Sequence, residues 1–255
     1  MIVRRSADGA ARTRTAWHVG LVAEATAETP SARRVVLDAP TWPGNIAGQH
    51  VDVRLTADDG YQATRSYSLA SSGPDPRLEL VVAEVQGGEV SPFLVHDVAV
   101  GDAVEIHGPL GAFFVWRPPD DGVSPRPVQL VAGGSGVVPL LAMARAHAAA
   151  GDATPFRLLY SVRTPQDVFF RDELEAARSD AFRLDLVYTR ETPQGWPDLP
   201  GRLTSDALAQ LVVGAEEQPD VFVCGPTSFV EAVAQWLVEL GHRPGAIRTE
   251  RFGGT

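Results

Sequence analysis

Val128-Gln129-Leu130-Val131-Ala132-Gly133-Gly134-Ser135-Gly136-Val137-Val138-Pro139 decides the fold of the second half of this chain. A short, largely apolar run suited to a buried strand gives way to glycines and then to a helical segment. The glycines allow close backbone approach, and the free amides at the positive end of the helix suit a pyrophosphate. Gly134 and Gly136 match the first part of G-x-G-x-x-G. Pro139 stands in place of the last glycine, where proline fits a first helical turn. Taken alone, the stretch is open to two readings: a dinucleotide loop, or a tight strand-to-helix turn without ligand.

Downstream of this loop, strands and helices alternate. Helices are expected over 139–150, 168–177, 204–212 and 228–240, and strands over 128–132, 156–161, 183–189, 221–224 and 247–251. Such alternation requires crossovers, and hence a parallel sheet covered by helices on both faces. Upstream the pattern differs. Short alternating segments at 18–23, 33–37, 50–55, 65–69, 78–85 and 103–106, separated by turn residues, predict an antiparallel β-barrel or sandwich with one helix at 91–98. The stretch RPPDDGVSPRP at 117–127 cannot continue a central strand and marks a boundary. The chain therefore divides into a flexible arm at 1–15, a β domain at 16–118 and an α/β domain at 126–255.

Composition narrows the function. The chain has 255 residues, with 44% hydrophobic and 21% charged, which describes a folding globular protein. No apolar run is long enough to span a bilayer and no secretory signal is evident. One cysteine excludes an internal disulfide or a four-cysteine cluster built by this chain alone, and a reducing, cytoplasmic location is expected. The formal net charge of -10 argues against broad nucleic-acid binding. His18, His50, His96, His107, His147 and His242 show no ligand spacing, so no metal is assigned.

Several short segments carry chemistry. Arg65-Ser66-Tyr67-Ser68 closes an expected strand, and alternation points Arg65 and Tyr67 to one side, a phosphate anchor beside a flat ring. Gly87-Gly88-Glu89-Val90-Ser91 opens the expected helix of the barrel, offering free amides and a hydroxyl to a second phosphate contact, although Ser91 could equally be an N-cap. Gly108-Pro109-Leu110-Gly111 reads as a tight turn. After the second and third strands of the α/β domain, where an acidic ribose clamp is often found, stand Ser161, Arg163 and Thr164, then Thr189 and Arg190. Such hydroxyl-and-arginine pairs can hold a 2'-phosphate, so NADPH is expected over NADH. The alternative is a set of solvated loop charges.

In this order, these segments resemble the ferredoxin-NADP reductase superfamily over nearly all of 17–255. Cys224-Gly225-Pro226, after Val221-Phe222-Val223, looks like the C-G-P segment of that family, and Glu250-Arg251-Phe252-Gly253 looks like its E-x-aromatic ending. The resemblance implies that Arg65 pairs with the FAD pyrophosphate, Tyr67 stacks on the isoalloxazine and Ser68 bonds near its reactive edge. Gly88, Val90 and Ser91 would complete the flavin phosphate site. Gly134, Ser135 and Gly136 would meet the NAD(P)H pyrophosphate, Arg163, Thr189 and Arg190 the adenosine end, and Cys224, Gly225 and Pro226 the nicotinamide. Glu250 and Phe252 would shape the face where hydride arrives, with Ser68 and Cys224 as small polar contacts in the gap. Without that context, Cys224 would read as a buried small hydrophobe and Phe252 as a core aromatic.

The implied activity is an FAD-dependent NAD(P)H oxidoreductase that hands electrons to a separate acceptor: a ferredoxin, an oxygenase component or another metalloprotein. Two alternatives share the motifs. A free-flavin reductase would not need the phosphate site at 87–91, and a regulatory nucleotide-binding module would not need Arg65, Ser68, Cys224 and Glu250 together.

Overall fold

Period-two alternation in the first half of the chain produces strands with one face inward. In the computed structural model, which describes residues 15–119, 124–151 and 153–253, these are β1 (Ala16–Thr29), β2 (Ala32–Asp38), β3 (His50–Thr56), β4 (Gln62–Ser68), β5 (Arg77–Ala83) and β6 (Ala103–Leu110). They pair antiparallel in the order β4-β3-β6-β1-β2-β5. Just past β4, a bridge between Leu69 and Leu80 joins the two edges and closes the sheet into a barrel. Its interior is filled by Val35, Leu37, Val51, Val53, Leu80 and Ile106, all at most 1% exposed.

The second half alternates as β7 (Val128–Gly133), α1 (Val137–Ala150), β8 (Phe156–Val162), α2 (Arg171–Ala176), β9 (Phe182–Tyr188), α3 (Ser205–Leu211), β10 (Asp220–Pro226), α4 (Thr227–Glu239) and β11 (Ile247–Phe252). The five strands are parallel in the order β11-β10-β7-β8-β9. Alternate residues of one strand go to opposite faces: Val131, Leu159, Val221 and Val223 pack with α3 and α4, whereas Leu130, Leu158 and Phe222 pack with α1. No helix among the described residues is long and apolar enough to cross a membrane.

Three expectations are corrected. The helix expected at 91–98 is a five-residue π-helical turn, Phe93–Asp97, and Ser91 does not cap it; its Oγ instead accepts a hydrogen bond from the Val85 amide at 3.0 Å. Gly108-Pro109-Leu110 is not a turn but the end of β6, where Leu110 pairs with His50, and the chain bends only at Gly111 with φ +89°. The helix expected from 168 begins at Arg171, after Phe170 in the left-handed region with φ 53°. The arm read at 1–15 lies, apart from Thr15, outside the described residues.

The barrel and the α/β layer share a hydrophobic cluster. Ala47, Ala70 and Val81 of the barrel pack with α1 and the parallel sheet, and Phe114 meets Phe222 edge-on with ring centroids 5.5 Å apart.

Candidate active site

β4 ends at the barrel wall that faces the parallel sheet, and this brings its residues to a cleft of about 510 Å³. Arg65, Tyr67 and Ser68 line it with Gly88, Val90 and Ser91, and Ser135, Val138 and Phe252 enter from the α/β layer. One space therefore gathers candidates from 65 to 252. Val90 is fully buried with its side chain in the barrel core, so its backbone is what can serve the cleft. Gly88 is required by crowding, since a Cβ there would lie 2.9 Å from the Val85 carbonyl oxygen.

Arg65 is half exposed. Its guanidinium donates to the Thr64 carbonyl at 2.7 Å and to Glu89 at 2.8 Å, so a carboxylate occupies the expected phosphate anchor. Glu89 also accepts a 2.6 Å bond from the Tyr61 hydroxyl, which is the main cause holding its carboxyl below the usual range. Glu89 stands inside the 87–91 stretch without a role assigned to it, and Tyr61 outside every motif, because a glutamate or tyrosine in a loop carries no signal of its own. Burial pushes the Tyr67 phenol up to about 12, so a neutral ring lines the cleft.

Across the cleft, β10 and β11 run in parallel register, Cys224 opposite Glu250 and Pro226 opposite Phe252. The Ser68 hydroxyl donates to the Glu250 carboxylate at 3.1 Å, joining residues 182 positions apart from opposite domains. Glu250 titrates above its ordinary value because burial dominates, with the Ser68 bond opposing. Cys224 is 1% exposed, and burial, then the nearby Glu250 charge, holds its thiol protonated. Phe252 is 37% exposed and borders the cleft, so it is not a core aromatic.

The raised carboxyl of Glu250 gives a sign-definite expectation. A group whose folded value exceeds its unfolded one is stabilising below the unfolded carboxylate range, and that contribution is lost as pH rises through the folded value. Glu250→Gln should therefore melt higher than the parent at pH 7, with the difference vanishing near pH 4. Equal melting temperatures at both pH values would show that the carboxylate is not penalised by burial.

The glycine loop between β7 and α1 is built on contact. A Cβ at Gly136 would lie 2.2 Å from the Cys224 carbonyl oxygen, and Cβ atoms at Gly133 and Gly225 would lie 2.7 and 2.8 Å from the Phe229 ring. Phe229, on α4, is thus a packing residue of the loop that its place in a helical apolar stripe did not distinguish. Gly134 differs. It has φ +55° and nothing within 4 Å of a Cβ, leaving an open face beside Ser135. A half-buried backbone shaped by glycine at a helix start, next to a cleft with an arginine and a neutral phenol, fits a dinucleotide and a flat heterocycle.

Arg163, Thr189 and Arg190 lie outside the cleft, at the ends of β8 and β9, where the Arg190 amide bonds the Arg163 carbonyl at 2.9 Å and the Thr189 amide the Val162 carbonyl at 2.8 Å. Both arginines are exposed, and neither has an ion-pair partner among the described residues. The hydroxyl of Thr164 is already committed to Asp167 at 2.8 Å.

Residues 22–115 match the oxidoreductase FAD-binding domain family and residues 130–235 the oxidoreductase NAD-binding domain family. A ferredoxin-NADP reductase B of Sorangium cellulosum is 36% identical over 215 residues, covering 81% of this chain and 84% of that protein. The chain belongs to the ferredoxin-NADP reductase superfamily. It thus joins an antiparallel domain matching the FAD-binding family to a parallel domain matching the NAD-binding family. A glycine betaine monooxygenase reductase subunit of Chromohalobacter salexigens is 34% identical over 213 residues, covering 82% of this chain but 56% of that protein. The chain thus spans little more than half the length of that relative. An Amycolatopsis cytochrome P450 reductase superposes with a TM-score of 0.82 at 30% identity, covering 97% of this chain and 73% of that one.

Proposed function

We propose that this chain takes electrons from NADPH onto bound FAD and delivers them to a separate acceptor protein, with 16–118 holding the flavin and 126–255 the nicotinamide nucleotide. The observation that carries the reading is the Ser68–Glu250 contact, which closes the two domains around one cleft beside Tyr67 and Phe252. FAD, when bound, supplies the exchange between a two-electron donor and the acceptor. The protein holds, orients and excludes water. Arg65 would anchor the flavin pyrophosphate with Gly88, the Val90 backbone and Ser91, while the neutral Tyr67 ring would stack on the isoalloxazine. Ser68 would present its hydroxyl at the reacting edge, and Glu250 fixes that hydroxyl in place. Gly134, Ser135 and Gly136 would receive the nicotinamide nucleotide's pyrophosphate at the start of α1, with Gly225, Pro226 and the small Cys224 beneath the nicotinamide.

Arg163 and Arg190, exposed and without an ion-pair partner among the described residues, support NADPH over NADH, since their guanidinium groups beside Thr189 could take a 2'-phosphate. Heat release of flavin and stopped-flow reduction with each nucleotide test the proposal together. One FAD per chain and a higher efficiency with NADPH are expected. FMN or a colourless protein sinks the flavin assignment, and equal or better use of NADH sinks the phosphate clamp.

Oxygenase components suit the acceptor role, because the Chromohalobacter and Amycolatopsis relatives are named for a monooxygenase and a cytochrome P450; ferredoxin is favoured by the Sorangium relative. A panel of such acceptors in steady-state assays distinguishes them. A reducing, cytoplasmic compartment suits the single thiol.

Phe252 borders the cleft and would cover the flavin face that the nicotinamide must reach, so that its displacement would draw on nucleotide binding energy. Phe252→Ala should tighten NAD(P)H binding and raise oxygen consumption in the absence of acceptor, with little loss of thermal stability because the ring is not in the core. A large drop in melting temperature with unchanged or looser nucleotide binding would refute the gate.

A further inference from the structure

α1 carries the nucleotide loop at its start and Arg145 two turns further on, and Arg145 reaches out of its own domain. Its Nη1 donates to the Ala70 carbonyl at 2.9 Å and to Glu79 at 3.0 Å, both on the barrel. Nε and Nη2 form a fork on Glu173 of α2, each at 2.6 Å, and the guanidinium lies 5.0 Å from the centroid of the Phe170 ring. Glu79 is held from the other side by Arg34 at 2.7 Å. Among the described residues, Arg145–Glu79 is the ion pair that crosses between the domains. A second polar tie lies nearby, where the Phe170 amide donates to Glu28 of β1.

The apolar seam around Phe114 and Phe222 supplies adhesion, but apolar contact is non-directional. Direction comes from the guanidinium: the fork on Glu173, within its own domain, fixes its plane, and the remaining Nη1 is thereby aimed at Ala70 and Glu79 of the barrel. Both ends of the clasp lead straight to the cleft. Ala70 is backbone-bonded to Glu79 at 2.8 Å and stands two residues from Ser68 through the fully buried Leu69. On the other side, the rigid α1 runs from Arg145 back to Gly136, roughly 13 Å at helical rise.

We propose that Arg145 is a positioning residue: its clasp on Ala70 and Glu79 fixes the orientation of the two domains and thereby the spacing of the flavin and nicotinamide subsites. Its consequence for turnover rests on the function proposed above. Reactions between two bound partners fall by about a hundredfold for a misplacement near 1 Å, so a loosened clasp acts on rate rather than on cofactor retention.

The test pairs Arg145→Met and Arg145→Lys in the full chain with two readouts. Spin labels on Thr26→Cys in β1 and Gln235→Cys in α4 report the inter-domain distance, the native Cys224 being buried from the reagent. Stopped-flow reduction by saturating NADPH, with flavin content and the long-wavelength absorbance of the oxidised-nucleotide complex, reports the subsites. Arg145→Met should shift or broaden the distance distribution and slow reduction roughly ten- to hundredfold. Flavin content and half-saturating nucleotide should stay near parental values, and the long-wavelength band should weaken. Arg145→Lys, which keeps the charge and loses the fork, should fall between. An unchanged distribution overturns the proposal whatever the rate, and so does an unchanged rate beside a changed distribution. If Arg145→Met does not fold, Glu79→Gln carries the same readouts. A parent protein that takes up no flavin would refute the proposed function, and the spin-label comparison would still decide the clasp.

Discussion

Arg65→Ala should lower FAD affinity about tenfold and leave the purified chain short of flavin. A charge-assisted hydrogen bond to a phosphate contributes about 1.5 to 3 kcal/mol, and the half-exposed guanidinium places this contact at the lower end, about a factor of ten. The partner Arg65 now has, Glu89, does not offset the loss. It is an exposed pair of the kind that contributes little to stability, and the Tyr61 hydroxyl keeps Glu89 satisfied when Arg65 leaves it for a phosphate. The chain should remain folded, since β4 keeps its pairing with β3 and Arg65 lies outside the barrel core. Calorimetric titration of deflavinated protein with FAD checks this, beside the flavin released per chain on heating. Parental affinity in the variant would place the anchor elsewhere, at the Gly88 and Ser91 side of the cleft.

The parts legible in the sequence were those set by local rules. Period-two and helical patterns marked every strand of both sheets, although β1 runs six residues past its expected end at 23, because hydrophobic periodicity is dictated by which face of each element is buried. The Gly134 loop was legible because glycine is favoured where φ is positive, as at Gly134, and required where backbones touch, as at Gly136. Ser91 shows the limit. A serine before an apolar run reads as an N-cap, yet here it ties the end of the strand at Val85, a bond that depends on the loop's return path. Glu89, Arg145 and Phe229 were illegible because each acts through partners set by the tertiary fold: Arg65 and Tyr61, Ala70 and Glu79, Gly133 and Gly225. Ser68 and Glu250 entered the site by family resemblance alone, Ser68 beside Cys224 and Glu250 beside Phe252, since nothing local to either residue announces a contact across 182 positions.

Gly136→Ala should be the most disruptive single change in the nucleotide domain. The added methyl would stand 2.2 Å from the Cys224 oxygen, 2.5 Å from its carbonyl carbon and 2.7 Å from the Gly225 nitrogen, all backbone atoms that cannot rotate away. Overpacking of this kind costs about 1 to 3 kcal/mol, and relief by moving a central strand lies at the upper end. For a chain of this size that is a fall of roughly 5 to 10 °C in melting temperature. The strain would not stay local. β10 pairs with β7 through Cys224 and Ala132 and with β11 through Cys224 and Glu250, so pushing Cys224 outward carries Glu250 away from Ser68. Nucleotide binding and the spacing across the cleft should both suffer, with half-saturating NADPH rising and the reduction rate falling together. Gly134→Ala is the contrasting variant. It meets no atom within 4 Å and bears only the strain of its left-handed backbone, so it should lose less stability while blocking the open face expected to receive a pyrophosphate. Thermal melts and NADPH titrations on the pair separate the two roles. A Gly136→Ala protein that melts and binds NADPH like the parent would mean that the loop yields without moving β10, and that close approach is not what demands glycine there.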